Sequence, residues 1–414
     1  MPSRAGNPDV VVVGAGFAGA SIAAVLSRAG IEVLLLERQR EYRDRVRGEF
    51  MQPWGVLEAR AAGLEDVIRS TQAVDGRYSV RFDELIEPSL AAASKQDNST
   101  ILPDVTGALC ASHPGSCQAL ADEAVHAGAQ LLRGVAEVRV QAGKRPAIAF
   151  CNGAETELRP RLIIGADGRR STVRKQSGVE AHVEPATHMV AGLLVTGASQ
   201  WPDDLYAIGV EGDLLCYVFP QGSGRARLYT CHANGQSARW AGPAGAQRLV
   251  QAFAGLRAVP DGMSLREITP AGPCATFSGE HLWCDTPYAD GIVLIGDAGG
   301  YDDPATGQGL SLAMSDVTQL TELLLSSKDW TAPAFRAYGQ RKAERLRRMR
   351  RVSKTYAALM TTFTDDGRAR RARFYEASGE GRDNVRTALA AMAIGPDRLP
   401  AEAFTDELHE ALLA

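Results

Sequence analysis

The first 37 residues contain two apolar runs typical of strands, with the pattern of a helix between them. Residues 9–13 include four consecutive valines, and residues 31–36 form a second apolar run. Between these runs, Ile22, Val25 and Leu26 recur at the spacing that places them on one helical face. The order strand, helix, strand predicts a βαβ unit, in which the two strands lie parallel in one sheet.

The turn between the first strand and the helix carries the pattern Gly-x-Gly-x-x-Gly. Gly14 permits a tight turn, Gly16 lets a phosphate approach the backbone, and Gly19 lets helix and strand pack closely. Glu37 ends the second strand, 23 positions after Gly14, where an acid can bind a ribose hydroxyl. In this setting the pattern predicts a dinucleotide-binding site.

Two further strands end in an acid beside a glycine. One is followed by Asp167 and Gly168, and the other by Gly296 and Asp297. A glycine-rich stretch, 304–310, then leads into a long apolar helix whose N-terminus would favour negative charge. Taken alone, each acid could equally cap an ordinary turn. Together with the first glycine pattern, they favour one ligand above the sheet.

Helices are predicted over 116–128 and 333–365, and the part of the chain between them changes character. Strands are predicted over 189–196, 214–219 and 225–232, which indicates a mostly antiparallel sheet with one covered face. Because side chains alternate along a strand, Leu215, Tyr217 and Phe219 share one face. They can be read as lining a substrate pocket or as core aromatics, and the sequence favours neither.

Composition narrows the class of protein. The chain has 414 residues, a net charge of −4 and 45% hydrophobic residues, which allows a large core and gives no reason to expect nucleic acid as a partner. It shows no signal peptide and no run of about 20 apolar residues. Seven scattered cysteines form no Cys-x-x-Cys pair, so no metal site or disulfide framework is expected. These features predict a cytoplasmic protein.

The three glycine and acid segments, in this order, resemble the GxGxxG, DG and GD motifs of the group A flavoprotein monooxygenases, the para-hydroxybenzoate hydroxylase-like family. The resemblance covers most of residues 9–330. It implies an α/β fold: a GR2-type, Rossmann-like FAD-binding domain with an inserted, mostly antiparallel substrate domain. The FAD-binding domain would comprise 1–72, 101–180 and 274–330, the substrate domain 73–100 and 181–273, and a C-terminal helical region 331–414.

The resemblance also implies roles for individual residues. Cofactor contacts would come from Gly14, Gly16, Phe17, Ala18, Gly19, Glu37, Arg38, Arg47, His113, Asp167, Gly168, Asp297, Gly307 and Gln308. Pro304, Gly309 and Leu310 would line the flavin edge where oxygen reacts, and Leu215, Tyr217 and Phe219 would contact the substrate. By the same resemblance, Phe219 stands where relatives that bind benzoates carry a cation, which favours a neutral, larger or apolar substrate.

The implied reaction needs FAD, molecular oxygen, and NADPH or NADH as a transient reductant. The chain has one complete dinucleotide fingerprint, so the nicotinamide cofactor has no domain of its own. A C4a-hydroperoxyflavin would transfer one oxygen atom to an aromatic or other electron-rich small molecule, in a hydroxylation. The sequence departs from the family at Gly299 and Gly300, where Ala-His is common, and at His113, where Arg or Gln is usual.

Other functions stay open. The segment Gly299–Pro304 also resembles the loops of geranylgeranyl reductases, which would make the protein an FAD-dependent reductase of an unsaturated substrate. A halogenase would carry a Trp-x-Trp-x-Ile-Pro segment, whereas the five tryptophans here are isolated. Five basic residues recur every three or four positions, so they would form one basic stripe on a helix. Such a stripe suggests a solvated face, a homodimer contact or a nucleic-acid surface. Its members are Arg341, Lys342, Arg345, Arg348 and Arg351.

Overall fold

The computed structural model describes residues 7–236, 238–379 and 383–413. These residues form strands that are numbered here in chain order. They are β1 Val10–Val13, β2 Val33–Glu37, β3 Phe50–Met51, β4 Val74–Gly76, β5 Tyr78–Asp83, β6 Gln96–Asp97, β7 Ala108–Cys110, β8 Gln130–Arg133, β9 Ala136–Gln141, β10 Ala147–Asn152, β11 Ala154–Leu158, β12 Leu162–Gly165, β13 His182–Glu184, β14 His188–Thr196, β15 Leu205–Glu211, β16 Leu214–Pro220, β17 Arg225–Ala233, β18 Thr269–Pro270, β19 Ala275–Ser278, β20 His281–Trp283, β21 Tyr288–Ala289, β22 Ile292–Leu294 and β23 Gly300–Tyr301.

The α-helices are numbered in the same way. They are α1 Phe17–Arg28, α2 Pro53–Ala61, α3 Glu65–Arg69, α4 Pro88–Ala93, α5 His113–His126, α6 Thr172–Gln176, α7 Gly245–Ala254, α8 Gly309–Ser326, α9 Arg336–Met360, α10 Asp365–Gly379, α11 Asp383–Ile394 and α12 Asp406–Ala411. Among the helices described, none is long and apolar enough to cross a membrane.

A six-stranded sheet with β1 near its middle confirms the predicted βαβ unit. Its order is β21-β22-β12-β1-β2-β8, and all neighbours are parallel except β21 and β22. Val10 and Val12 face the core that contains α1, whereas Val11 and Val13 face a second core shared with β10. The sheet is buried on both faces, which explains why its strands read as continuous apolar runs.

The second large sheet confirms the predicted antiparallel layer. Its order is β18-β14-β17-β16-β15-β5-β6, with β19 also paired to β14, and only β15 and β5 run parallel. Cys216 and Val218 pack under α7 with Phe253, whereas Leu215 and Tyr217 join the core of the first domain. The alternation of side chains along β16 therefore predicted the correct face for both pairs of residues. Because β19 belongs to this sheet, the sheet extends past residue 273.

Two helix predictions need correction. The helix predicted over 333–365 is two helices, because α9 ends at Met360 and α10 begins after Thr364. The Thr364 hydroxyl accepts a hydrogen bond from Gly367 N, and two aspartates lie in the first turn of α10, which is an N-cap pattern that the sequence interpretation overlooked. The helix predicted over 116–128 begins at His113, where Ser112 caps it by accepting from Gly115 N.

The basic stripe on α9 is not a continuous exposed surface. Lys342 and Arg345 are 2% and 1% exposed and both pair with the buried Asp316. Arg348 pairs with Glu344 on the same helix. The surface on which the nucleic-acid hypothesis depends is therefore interrupted at its centre.

Candidate functional site

Three strand ends meet at one edge of the parallel sheet. Val13 is in register with Gly165, and Gly165 is in register with Leu294, so the segments that follow β1, β12 and β22 lie side by side. This brings Gly14, Asp167 and Asp297 to one edge. The carboxyl ends of parallel strands are where α/β sheets bind ligands.

In the glycine turn, Gly14 and Gly19 are packed closely against the backbone, whereas the space beside Gly16 is open. A Cβ on Gly14, whose φ is +98°, would lie 2.5 Å from the Ala166 carbonyl oxygen. One on Gly19 would lie 1.8 Å from the Gly14 carbonyl oxygen. A Cβ on Gly16, by contrast, would meet nothing within 4 Å. The space above Gly16 therefore fits a ligand.

Helix α1 begins beside this space with free N–H groups. Gly16 supplies no side-chain cap, and the first turn, which starts with Phe17 and Ala18, contains no acid. Among the described residues, only the Cys117 thiol reaches an N–H of this turn, that of Phe17. Unpaired N–H groups and the positive end of the helix dipole make this end suited to a diphosphate.

Glu37 braces the same turn from β2. One carboxylate oxygen accepts from Ala15 N at 2.8 Å, and the other accepts from Gln39 N at 2.8 Å. The Tyr42 hydroxyl donates to the Ala15 carbonyl at 2.5 Å. The acid is thus held at the turn, where a ribose hydroxyl is expected, and Arg38 beside it is exposed.

Two arginines face the site without a full set of partners. Arg47 makes no hydrogen bond or ion pair with the described residues, and its pKa is lowered by burial and by the nearby charge of Arg169. Arg169 Nε is buried without a hydrogen bond, and it lies 3.6 Å from Asp297 Oδ2. Two neighbouring cations with unused donors fit an anionic group, and the FAD diphosphate has that charge.

Asp167 has a structural partner set of its own. Its carboxylate accepts from the Ser171 hydroxyl at 2.5 Å and from Thr172 N at 2.6 Å, which starts α6. Gly168 has φ +77° and open space around its Cα. The Asp167 side chain therefore shapes the loop, and the Gly168 backbone is the part that is open to a ligand.

His113 lies beside the arginines at the start of α5. Burial and the charge of Arg47 lower the pKa of His113 to about 4. Its Nε2 lies 3.6 Å from Cys117 Sγ. The imidazole is therefore neutral at pH 7.

This lowered pKa predicts a loss of stability in acid. Because the unfolded chain takes up the proton near pH 6.5, the contribution of His113 falls as the pH drops from about 6.5 to about 4. Between pH 7 and pH 4.5 we expect the free energy of unfolding of His113→Gln to fall by roughly 2–3 kcal/mol less than that of the wild type, because one pKa unit corresponds to about 1.4 kcal/mol. Urea unfolding at pH 7 and pH 4.5 measures this. His126→Gln, an exposed position on the last turn of α5, is the matched control. Equal losses in all three proteins would contradict the prediction.

The turn before α8 closes the site on the other side. Pro304–Thr306 forms a single 3₁₀ turn, Gly307 follows with φ +66°, and α8 begins at Gly309 without a side-chain cap from the described residues. A Cβ on Gly309 would meet nothing within 4 Å, and Leu310, the next residue, is half-buried. This helix end therefore also presents free N–H groups to the site.

Gln308 points away from that opening. Its amide oxygen accepts from Trp54 Nε1 at 3.0 Å, and its amide nitrogen donates to the carbonyls of Thr306 and Met392. The side chain is 1% exposed. Only the backbone of Gln308 remains for a cofactor contact.

The substrate-domain face meets this turn directly. The Tyr217 hydroxyl donates to the Ala305 carbonyl at 2.7 Å. Phe219 stacks on Phe50 with ring centroids 4.4 Å apart, and Leu215 is fully buried on the same face. These three side chains are apolar or aromatic, Tyr217 contacts the turn at Pro304, and Arg227 lies opposite Phe219 on the same face.

Sequence reasoning missed a charged cluster between the loop before β3 and the antiparallel sheet. Arg227 Nη2 lies 2.7 Å from Asp44 and 3.1 Å from Glu49, and the Tyr229 hydroxyl donates to Glu49. Burial raises the pKa of Glu49, against the opposing effect of Arg227. The cluster ties the arginine-rich loop before β3 to β17. Glu49 and its partners on β17 lie about 180 positions apart in the chain. The one signal in the sequence was that strand alternation puts Arg227 and Tyr229 on the same sheet face as Tyr217.

Comparisons with known proteins agree with this geometry. The model of the FAD binding domain family matches residues 7–353. Mouse squalene monooxygenase is 24% identical over 337 residues, which is 78% of this chain and 56% of the mouse protein. Digeranylgeranylglycerophospholipid reductase 2 of Methanococcoides burtonii is 27% identical over 333 residues, which is 74% of this chain and 72% of that protein.

A solved structure shares the fold. The p-nitrophenol 4-monooxygenase of Pseudomonas putida superposes with a TM-score of 0.79 at 17% identity, covering 96% of this chain and 100% of that one. The α/β fold predicted from the three motifs is thereby confirmed. The chain belongs to the FAD binding domain family, it has the fold of the para-hydroxybenzoate hydroxylase-like flavoproteins, and FAD is its cofactor.

Proposed function

We propose that the protein is an FAD-dependent monooxygenase that inserts one atom of O₂ into a neutral, electron-rich small molecule. NADPH or NADH supplies two electrons, and the second oxygen atom leaves as water. Bound FAD supplies the redox and oxygen chemistry, and the protein supplies placement, a dry pocket and electrostatics. The match to mouse squalene monooxygenase over 78% of this chain supports the proposal.

The observation that carries it is the contact between the substrate-domain face and the turn at Pro304. Tyr217 is 4% exposed and hydrogen-bonded to Ala305 in this turn, and Phe219, 6% exposed, packs beside Tyr217 and stacks on Phe50. A substrate on this face would be shielded from water and would lie beside the helix end at Gly309. Leu215, Tyr217 and Phe219 are apolar or aromatic, and the charge of Arg227 on the same face is paired with Asp44 and Glu49, so we infer a substrate that is itself apolar or aromatic.

The remaining sites fit that arrangement. We assign the FAD diphosphate to the α1 N-terminus, Gly16 and the two arginines Arg47 and Arg169. We assign the ribityl chain to Asp297. The N-terminus of α8 would stabilise negative charge at the pyrimidine edge of the flavin. We retain the predicted division into a discontinuous FAD-binding domain, a substrate domain and a C-terminal helical region.

Two measurements test the proposal. NADPH or NADH is first mixed anaerobically with the purified protein, and bleaching of the flavin absorbance near 450 nm is expected. The reduced enzyme is then exposed to ¹⁸O₂ with a panel of phenols and polyprenyl hydrocarbons. One ¹⁸O atom in a product supports the monooxygenase. Failure of both nicotinamides to reduce the flavin would exclude a single-component version.

A second function has support of its own. The archaeal reductase from M. burtonii is matched over 72% of its length, more than the 56% of the mouse monooxygenase. The alternative is therefore an FAD-dependent reductase of a carbon–carbon double bond. Photoreduced enzyme mixed anaerobically with a polyprenyl substrate decides between them. Flavin reoxidation and a product two hydrogens heavier would favour the reductase.

Replacing Phe219 tests the substrate face. We expect Phe219→Ala to raise the KM of the substrate found in the panel about tenfold, because the ring is lost from the pocket side of β16. Val218→Ala is the matched control, since Val218 is fully buried on the opposite face of the same strand. Both changes should lower stability by about 1–4 kcal/mol, and only the first should change KM. An unchanged KM in Phe219→Ala would remove this residue from the site.

A further inference from the structure

Two buried histidine–aspartate pairs hold the turn that precedes α8. His281 Nδ1 is hydrogen-bonded to Asp302 Oδ1 at 2.7 Å, whereas His188 Nε2 lies 3.2 Å from Asp303 Oδ1 without hydrogen-bond geometry. All four side chains are less than a tenth exposed. Burying ionisable groups is unfavourable unless they are paired, so these groups are held in place by one another.

The pairs reach the turn from separate parts of the fold. His188 is the first residue of β14 in the substrate-domain sheet, and His281 is the first residue of β20. From α9, the Ser353 hydroxyl donates to the second oxygen of Asp302 and lies 3.2 Å from Thr306 Oγ1. Three elements therefore fix the position of one short turn.

Asp303 also organises the turn internally. Its carboxylate accepts from Ala305 N at 2.9 Å, and its carbonyl accepts from Thr306 Oγ1 at 3.0 Å. Pro304 lies between these contacts, and Gly307 connects the turn to α8. A movement of either aspartate would therefore move Pro304 and the first turn of α8.

We propose that His188 and His281 are positioning residues, which set the distance between the turn at Pro304 and the bound flavin and thereby the rate at which the reduced flavin reacts with oxygen. The inference rests on the proposed place of Pro304 at the flavin edge. It does not depend on the identity of the substrate.

The charged surroundings of His281 predict a pH dependence. Burial lowers its pKa, but the hydrogen bond and the charge of Asp302 outweigh burial, and Asp303 and Glu184 act in the same direction, so the pKa is raised. Arg350 is the cation that faces Asp302 from α9. The His281–Asp302 ion pair is therefore complete below pH about 6.5, and it is lost as the pH rises through the raised pKa of His281 in the folded protein.

The test is flavin reoxidation measured without substrate. FAD-loaded enzyme is photoreduced and mixed with oxygenated buffer between pH 6 and 9, and the visible spectrum of the oxidised form is recorded at each pH. We expect His281→Gln to change the reoxidation rate constant at pH 6 at least fivefold. We also expect it to shift the flavin spectrum and to remove the pH step that we expect in the wild type. His182→Gln is the matched control, because His182 Nε2 lies 3.0 Å from Asp285 in an exposed pair outside the turn.

The result that overturns the proposal is a His281→Gln protein with the rate constant, spectrum and pH step of the wild type, even if its melting temperature falls. If that variant fails to retain FAD, Ser353→Ala replaces it, since it removes one hydroxyl from Asp302. A change of at least twofold in its rate constant supports the proposal, and an unchanged one overturns it. Reduced flavin in a reductase also reacts with oxygen, so this comparison stands even if the monooxygenase function fails.

Discussion

Gly16→Ala is expected to weaken FAD binding about a hundredfold, roughly 2.7 kcal/mol, without changing the melting temperature of the FAD-free protein. The reason is that a Cβ at this position would have none of the described residues within 4 Å. The only space that it enters is the space assigned to the FAD diphosphate, which must approach the backbone closely. Fluorescence titration of the FAD-free protein with FAD measures the Kd, and thermal unfolding of the same preparation measures stability.

Two other glycines provide the contrast. Gly235→Ala is the matched control, because it too would meet nothing within 4 Å but lies in an exposed 3₁₀ turn outside the site. Gly19→Ala should instead destabilise the FAD-free protein, since its Cβ would lie 1.8 Å from the Gly14 carbonyl oxygen. An FAD affinity in Gly16→Ala equal to that of Gly235→Ala would show that the diphosphate does not lie above Gly16.

The parts of the fold that the sequence predicted are those specified by nearby residues. The valines 10–13 and the turn at Gly14 define the first βαβ unit within about 30 residues, so local pattern and structure agree. The face shared by Tyr217 and Phe219 was also predictable, because the period of a strand is fixed at two. These features require no knowledge of which distant element packs against them.

The contacts that lock the site could not be predicted in that way. His188 begins β14 of the antiparallel sheet and Asp303 lies more than 100 positions later in the turn before α8, and Arg227 meets Glu49 across about 180 positions. Lys342 was misplaced on an exposed stripe, because helical spacing gives the face of a charged residue but not its depth, and lysine is rarely buried. Burial of a charge depends on a partner that only the tertiary structure supplies.

Asp316→Ala is expected to lower the free energy of unfolding by about 3–5 kcal/mol. Its carboxylate lies 2.5 Å from Lys342 Nζ and 3.3 Å from Arg345 Nη1, and it also accepts from Gly296 N at 2.8 Å. Removing it leaves a lysine that is 2% exposed without a counter-ion. Arg345 keeps its pair with Asp397, so the greater part of the loss comes from the lysine. Urea unfolding of the FAD-loaded protein measures the loss.

Two further variants test whether the loss in Asp316→Ala comes from removing a buried charge. Glu344→Ala on α9 removes an acid that pairs with two arginines at a 41% exposed site, and it should cost less than about 1 kcal/mol. Asp316→Asn keeps an acceptor for Gly296 N but removes the charge. If the charge is what matters, Asp316→Asn should lower the free energy of unfolding nearly as much as Asp316→Ala.

Since Gly296 precedes Asp297, the assigned ribityl contact, Asp316→Ala should also release FAD more readily than Asp316→Asn does. Equal FAD retention in the two variants would show that the bond to Gly296 N does not hold the cofactor loop in place.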